Sequence, residues 1–438
     1  MPPVQEVAIW IESPSPRARY AADQLVGKLL GFTIRWVTNA SELSPSAMPC
    51  LAYADATVPG AFHIRPAGDW ASATKAIPDP EVQQRGELLL LYPTAGADLP
   101  FDPFAAAFFQ LARVEEWRAL PQDEHGRPLT SAMHAYKHSY LHRPIVDEWA
   151  LLLAERWRSI DPRVAEPNRS YAQVATIDLD NGFKYLGREV WRSAGAWARD
   201  AARGDWQAVH ERFAVLCGSR PDPFLLDEEV LQAFDTCASR IVAFVLAADR
   251  TANDHAVPVE DARYSSYLRA LKSRMEIGLH PSYRSSLQDG LTQYERDRLA
   301  RVIGETITQS RQHFLRFSTP ETFRTAIALG FREEHSMGCH DRLGFRAGTC
   351  TPYTWYDLER DEATSLTIHP FAVMDNTLRE KLKLSPDDAV REASRVIDAV
   401  KRVRGTFTGL WHESFLASTG EHAAWRGAIL RIIRNAQP

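Results

Sequence analysis

The sequence has few cysteines, and they do not have the spacing of a zinc-thiolate or redox motif. A sparse, odd-numbered set without a CxxC pair predicts reduced thiols and excludes a zinc site built on cysteine. Buried small hydrophobic residues are the simplest interpretation of these side chains. The set comprises Cys50, Cys217, Cys237, Cys339 and Cys350.

Other absences exclude whole classes of function. Neither a GxGxxG nor a GxxxxGK[ST] loop occurs, so nucleotide-dependent chemistry has no support. The net charge of -5 argues against a nucleic-acid partner, which needs a basic surface. No apolar run approaches the roughly 18 residues of a membrane span. The first 12 residues lack the basic and apolar regions of a signal peptide, so we expect a cytoplasmic protein.

The chain is long enough for more than one domain. It has 438 residues, 45% of them hydrophobic, which is ample material for two cores. A proline-containing stretch over residues 161–168 predicts a boundary. We therefore expect an N-terminal α/β domain over residues 1–165 and a second domain over residues 166–438. In the first, we predict strands at 7–12, 32–37 and 88–92 and a helix at 18–30.

Beyond residue 170 the pattern alternates between apolar strands and amphipathic helices. This alternation predicts an α/β fold with a mainly parallel sheet, either open or closed into a barrel. Ser385 followed by Pro386 is a strong helix start. The predicted strands are 174–180, 241–247, 275–280, 330–334, 345–347, 365–369 and 406–412. The predicted helices are 227–239, 264–274, 293–316, 320–329 and 386–404.

The stretch Val174–Gly182 combines a β-branched strand with two carboxylates. Asp178 and Asp180 are separated by one residue, so on an extended chain they point to the same side. Like charges this close raise each other's pKa unless a cation or partner intervenes. A turn cap is one interpretation, and a catalytic or metal-binding carboxylate pair is the other.

Polar side chains recur where the predicted strands end. In parallel α/β folds the functional residues lie at the carboxyl ends of the strands. Random placement would scatter such residues, so their recurrence favours a common site. The set comprises Asp178, Asp180, Asp249, His280, Arg346, His369 and His412.

Four segments, in order, resemble the successive motifs of the polysaccharide deacetylase family. They are Thr176–Asp180, Glu276–Ser282, Gly344–Gly348 and Leu410–His412, and the resemblance covers roughly residues 170–420. It implies a distorted (β/α) barrel, preceded by a smaller α/β domain similar to the uncharacterised N-terminal domain of a bacterial branch of this family. It also implies one divalent metal ion, most simply zinc, and a sugar or glycan substrate.

The resemblance implies a role for each matching residue. Asp178 would be the base, and Asp180 and His280 would be metal ligands. Arg346 would orient the base, and His412 would be the acid. A metal ion that polarises an acyl carbonyl and acidifies its bound water removes the two obstacles to amide hydrolysis, and the base and acid each add about 10² to 10⁴ in rate.

The sequence departs from the family pattern in two places. The family's first motif has adjacent aspartates, whereas Leu179 separates Asp178 from Asp180, which leaves their roles exchangeable. The family's second metal histidine lies four residues after the first, where this chain has Arg284, and a guanidinium cannot bind a cation. Three alternatives remain open: two side chains and waters hold the metal, Arg284 pairs with Asp180 and no metal binds, or another histidine supplies the third ligand. The histidines considered are His335, His340 and His369.

Substrate contacts are expected near the barrel mouth. Arg284, Tyr353 and Trp355 are the candidates, since aromatic faces stack on sugar rings, although the aromatics next to Pro352 equally fit a core. The loop over residues 334–346 is either a substrate-binding or a solvated connection. A separate run of histidines is better explained by surface positions than by a metal site. That run comprises His125, His134, His138 and His142.

The leading hypothesis is a metal-dependent hydrolase that removes an acyl group from an N-acetylated sugar or glycan precursor. One rival is a catalytically silent glycan-binding or assembly protein with a degenerate metal site, which Arg284 favours. A second rival is a metal-free hydrolase using Asp178 and Asp180 as an acid and base pair.

Overall fold

The N-terminal third forms a small parallel sheet covered by helices. A computed structural model describes residues 5–188, 190–420 and 423–438. The sheet has the order β2-β1-β3-β4, with β1 at Glu6–Ile11, β2 at Thr33–Val37, β3 at Cys50–Tyr53 and β4 at Phe62–Ile64. A separate antiparallel hairpin joins β5 at Val82–Arg85 and β6 at Leu88–Leu91. The helices are α1 at Pro16–Ala22, continued by a π-helical turn to Leu29, α2 at Pro103–Leu111, α3 at His134–Lys137 and α4 at Ile145–Ile160.

The rest of the chain builds a nine-stranded sheet of order β12-β13-β11-β10-β9-β8-β7-β15-β14. All neighbours are parallel except β12 and β13. Over the described residues no pairing joins the edge strands β12 and β14, so the sheet is open, and the predicted barrel is not closed. The strands are β7 at Ala172–Leu179, β8 at Arg240–Leu246, β9 at Glu276–His280, β10 at Gln309–Ser310, β11 at Glu333–Glu334, β12 at Tyr353–Asp357, β13 at Glu362–Ile368, β14 at Val373–Met374 and β15 at Thr406–His412.

Helices connect these strands. They are α5 at Val190–Ala202, α6 at Trp206–Leu216, α7 at Glu228–Cys237, α8 at Ala262–Leu271, α9 at Leu291–Ile303, α10 at Glu321–Ala328, α11 at Pro386–Arg402 and α12 at Ala423–Asn435. The predicted start of α11 is confirmed, because the Ser385 side chain accepts the Asp388 N–H and Pro386 occupies the first turn. No helix in the described ranges is long and apolar enough to cross a membrane.

One hydrophobic core spans the small sheet and the edge of the large one. It contains β1 and α2 together with side chains of β12 and β13. The Tyr356 ring lies 4.9 Å from the ring centroids of both Tyr20 and Phe108. Tyr353 and Trp355 are 3% and 2% exposed in this core. The structure therefore differs from the predicted substrate contacts at these two residues, because their burial stabilises the fold.

Candidate metal centre and active site

The carboxyl ends of β7, β9 and β15 bring four of the predicted residues together. In β7 and β15, Asp178 pairs in register with His412. His280 ends β9, which β8 separates from β7. The His280 Nε2 atom lies 3.3 Å from Asp180 Oδ1 and 3.7 Å from Asp178 Oδ2. This convergence agrees with the rule that parallel strands present side chains at one edge.

A third candidate ligand comes from the segment that follows β10. His313 is three residues after Ser310, and its Nε2 atom lies 3.9 Å from Asp180 Oδ2. Asp180, His280 and His313 thus form a group whose ligand atoms all lie within 4.8 Å of one another. His313 was not among the histidines considered from the sequence.

Hydrogen bonds hold both histidine rings with Nε2 toward Asp180. The Nδ1 atom of His280 bonds the backbone carbonyl of Arg311. Because a carbonyl only accepts, the proton of the neutral ring lies on Nδ1, and the Nε2 lone pair is then free for a metal ion. The Nδ1 atom of His313 lies 3.0 Å from Asp254 Oδ1, which favours the same tautomer. Such outer partners are typical of metal-binding histidines.

The Asp180 carboxylate fits a cation. Its Oδ1 atom is buried and has no hydrogen-bond partner among the described residues, a costly state that a bound ion would relieve. Burial alone would raise the pKa of Asp180, but the neighbouring histidines, His313 first, hold it well below its ordinary value. One carboxylate oxygen and two imidazole nitrogens are ligands that zinc and related divalent ions accept. The residues present therefore fit a divalent metal ion.

Arg311 holds Asp178 in place. Its Nη1 atom donates to Asp178 Oδ1 at 2.8 Å, and its Nη2 atom donates to Thr176 Oγ1 at 2.7 Å. The Arg311 side chain is fully buried and Asp178 is 3% exposed. This buried, charge-assisted contact fixes the direction in which the second Asp178 oxygen points. Arg311 thus makes the contact with Asp178 that the resemblance implies for Arg346.

A second buried carboxylate orients His412. The Asp375 Oδ1 atom lies 2.7 Å from His412 Nδ1, and Oδ2 accepts the His412 backbone N–H at 2.6 Å. The His412 Nε2 atom faces Asp180 Oδ2 at 3.8 Å. Burial lowers the pKa of His412, but Asp375 and then Asp180 outweigh it and raise that pKa to about 10. The two carboxylates therefore favour the charged form of the ring.

Glu413 fixes the turn after β7. It accepts the backbone N–H groups of Asp180 at 2.9 Å and Asn181 at 2.7 Å. Burial, followed by the charge of Asp180, raises the pKa of Glu413 to about 8. The Asp-Asn-Gly turn is therefore held by a residue from β15's end, which no local pattern in the sequence indicates.

A cavity of about 240 Å³ is lined by Asp178, Asp180, His280, His313 and His412. Its wall is mixed, with apolar side chains such as Phe314 and Phe415 beside polar ones such as Gln312 and Asn376. Arg127 of the N-terminal third also lines it and donates to the Phe314 carbonyl at 2.9 Å. The N-terminal third therefore contributes to the site.

Two predicted arginines lie elsewhere. Arg346 is 4% exposed and donates through Nε and Nη2 to Glu116 at 2.8 and 2.9 Å, so it does not contact Asp178. Arg284 is exposed and donates to Gln288 at 2.9 Å. It lies on a short 3₁₀ turn after β9 and is not among the residues that line the cavity with Asp180. Arg284, which favoured a degenerate metal site in the sequence analysis, thus lies outside the group of Asp180, His280 and His313.

The other strand-end and histidine candidates have separate environments. Asp249 pairs with Arg298 at 2.9 Å. His369 and His335 stack beside Glu333 in a second group. His134 and His138 stack on each other at 4.2 Å, and within the described ranges neither belongs to a group of three potential ligands.

Comparisons with known proteins give distant similarities. Residues 7–162 match a family of unknown function, DUF7033, and no curated protein matches. A candidate polysaccharide deacetylase from Mycobacterium smegmatis is 16% identical over 62% of this chain and 86% of its own, with a TM-score of 0.38. The polysaccharide deacetylase Bc1974 from Bacillus cereus is 12% identical over 61% and 88%, with a TM-score of 0.29. A family 4 carbohydrate esterase from Streptomyces lividans, solved with acetate, is 14% identical over 61% and 87%, with a TM-score of 0.28. At these scores the similarities carry no conclusion about activity.

Proposed function

We propose that the protein is a metal-dependent hydrolase that removes an acyl group from an N-acetylated sugar or glycan precursor, in the manner of the polysaccharide deacetylases. The observation that carries the proposal is the convergence of Asp178, Asp180, His280, His313 and His412 on one cavity. Among the described residues, Asp180 Oδ1 is buried without a hydrogen-bond partner, although His280 Nε2 lies 3.3 Å away; an ion held by both atoms would account for this spacing.

Asp180, His280 and His313 would hold the metal ion, and zinc fits this ligand set best. When bound, such an ion polarises an acyl carbonyl and lowers the pKa of a bound water from about 15.7 toward about 7. Arg311 and Asp254 keep the two histidine rings in the tautomer that leaves Nε2 free. These contacts prepare the site before substrate enters.

Asp178 is the proposed general base. Arg311 engages one of its oxygens, so the other remains to accept a proton from the attacking water. His412 is the proposed general acid, because Asp375 keeps it protonated and Nε2 can donate to the leaving amine. Each transfer is worth about 10² to 10⁴ in rate.

The cavity supports a small part of a sugar as substrate. Its volume of about 240 Å³ is below the roughly 300–1,000 Å³ of pockets that enclose drug-sized ligands. An acyl group with its attached sugar ring is a suitable occupant, with the remainder of the glycan outside. Phe314 and Phe415 supply apolar surface for the acyl methyl group or the sugar face.

The test combines metal analysis with acetate release. Purified wild type is loaded with Zn²⁺ and assayed on an N-acetylated chito-oligosaccharide, alongside Asp180→Ala, His280→Ala and His313→Ala. Each variant should lose one equivalent of metal and at least about 100-fold in kcat. Arg284→Ala is the matched control, and both its metal content and its kcat should equal those of the wild type. Full activity in the three ligand variants would refute the proposal.

A further inference from the structure

A second cluster of potential ligands lies apart from Asp180. Glu333 and His335 flank the end of β11, and His369 follows the neighbouring strand β13. The Glu333 Oε2 atom lies 3.0 Å from His369 Nε2 and 3.4 Å from His335 Nε2. Two ligand atoms on one tetrahedral zinc ion, with bonds of about 2.0–2.2 Å, lie about 3.3–3.6 Å apart. The three side chains are therefore close to the spacing a metal ion requires.

The polar atoms of this cluster are poorly satisfied by the protein. Among the described residues, His335 Nδ1, His335 Nε2 and His369 Nε2 are buried without a hydrogen-bond partner. The His335 side chain is fully buried. Unsatisfied buried polar groups are costly, so three on two neighbouring rings are unusual. A cation held by Glu333 Oε2 and the two Nε2 atoms would satisfy two of these three nitrogens.

The local charge also favours a cation. Arg240 is bound by both oxygens of Glu276, at 2.8 and 2.7 Å, so these two charges cancel. The Arg240 Nη1 atom also lies 2.8 Å from Glu333 Oε2. One guanidinium therefore faces two carboxylates, which leaves an excess negative charge beside two imidazoles. The contact from Arg240 is compatible with metal binding by Glu333, because carboxylates that bind a metal ion also accept hydrogen bonds from neighbouring residues.

The cluster is distinct from the Asp180 site. His280 is the last residue of β9, and Glu333 belongs to β11. β10 lies between these two strands, so they are about 10 Å apart, at roughly 4.8 Å per strand spacing. Glu333 is 28% exposed and His369 is 13% exposed, so an ion has access from solvent.

We propose that Glu333, His335 and His369 bind a second divalent transition-metal ion, independent of the ion at Asp180. Two imidazoles and one carboxylate form a borderline ligand set suited to Zn²⁺, Co²⁺ or Fe²⁺. The two rings now stack at 4.3 Å and 10°.

This site contacts the proposed active site through one residue. The Arg311 Nε atom donates to the His335 carbonyl at 3.1 Å, and Arg311 Nη1 donates to Asp178. The Phe244 ring lies 5.0 Å from the His335 ring and 4.4 Å from the Arg311 guanidinium. A metal at His335 would thus stiffen the support of Asp178, so the second ion has a structural role.

The test counts bound metal in variants of each site. Wild type, Asp180→Ala, His369→Gln and the double variant are dialysed against Zn²⁺ and analysed for zinc per chain. We expect about two equivalents in the wild type, one in each single variant and none in the double variant. His210→Gln, at an exposed histidine on α6, is the matched control and keeps two.

His369 is chosen because its partial exposure makes the substitution milder than one at His335. Thermal unfolding verifies that His369→Gln is folded. If it is not, Asp180→Ala alone decides, since it must retain about one equivalent that raises its melting temperature. Equal zinc content in wild type and a folded His369→Gln variant, or no zinc in Asp180→Ala, would overturn the proposal. A wild type with one equivalent that His369→Gln removes would support this site while refuting metal binding at Asp180.

Discussion

The contact between Arg311 and Asp178 predicts a large coupling energy. Both side chains are buried, at 0% and 3% exposure, and the Nη1 to Oδ1 distance is 2.8 Å. Removing one partner of such a pair leaves an uncompensated buried charge and costs about 3–5 kcal/mol. Removing both leaves no such charge, so the double variant should lose less free energy of unfolding than the two single variants lose together. We expect a coupling energy of about 2–3 kcal/mol between Arg311→Met and Asp178→Asn.

Urea unfolding of the four proteins, followed by circular dichroism with chelator present, measures this coupling. Chelation matters because a bound cation would partly replace the guanidinium charge. Arg346→Met is the matched control. Its partner Glu116 is also 2.8 Å from Arg113, so Glu116 stays paired, and we expect a smaller loss than for Arg311→Met. A coupling energy below about 0.5 kcal/mol, or a greater loss for Arg346→Met, would refute this account of the buried pair.

Three further predictions concern the surroundings of the cavity. Arg127→Met removes the hydrogen bond to the Phe314 carbonyl and should raise KM up to about tenfold with little change in kcat. Steady-state kinetics measures both constants, and a fall in kcat alone would contradict this expectation. Asp375→Asn should lower kcat about 100-fold with unchanged metal content, because His412 loses the carboxylate that favours its charged form. A kcat within twofold of the wild type would show that Asp375 does not support His412 in this way. Burial raises the pKa of Glu295 from 4.5 to about 7. Its contribution to stability is therefore fully present below pH 4.5 and is lost as the pH rises through 7. The free energy of unfolding should fall by about 3 kcal/mol over this range. Glu295→Gln should remove that part of the pH dependence in urea unfolding, and an unchanged profile would contradict it.

The sequence predicted the elements whose signals are local. β15 has the predicted bounds, and β7 differs from its prediction by at most two residues. Their apolar, β-branched patterns are complete within a few residues. The start of α11 was equally clear, because a serine cap and a proline in the first turn act locally. The strand predicted at 345–347 is wrong, since those residues form a turn.

The sequence does not indicate the third candidate ligand, His313, because a predicted helix covers it. The prediction ran a helix over 293–316, whereas α9 ends at Ile303 and Gly304 follows with φ 78°. Residues 309 and 310 then form β10, and His313 follows. Gly304 and the β-branched residues 306–308 were the available signal for a helix end and a strand. β10 has only two residues, which is too short for an alternating hydrophobic pattern to predict it.

The position of Arg346 depends on contacts distant in sequence. The resemblance placed it beside Asp178, but its partner is Glu116, 230 residues away. Gly344 approaches the Leu141 carbonyl so closely that a Cβ would lie 2.3 Å from it, and its φ is 129°. Because of this close contact, the loop that carries Gly344 and Arg346 packs against the N-terminal third, where Glu116 lies. No pattern within the loop encodes that packing.

The N-terminal third supports the segment that carries His313. Phe314 and Leu315, which follow His313, have φ values of 60° and 54°, a conformation that costs non-glycine residues about 1–3 kcal/mol each. The Arg127 guanidinium binds the Phe314 carbonyl at 2.9 Å. Arg316 donates to the His125 carbonyl at 2.9 Å, and the His125 ring lies 5.0 Å from the Phe314 ring. Contacts on both sides of this strained pair offset its cost, so the loop around residue 125 helps to hold His313 facing Asp180.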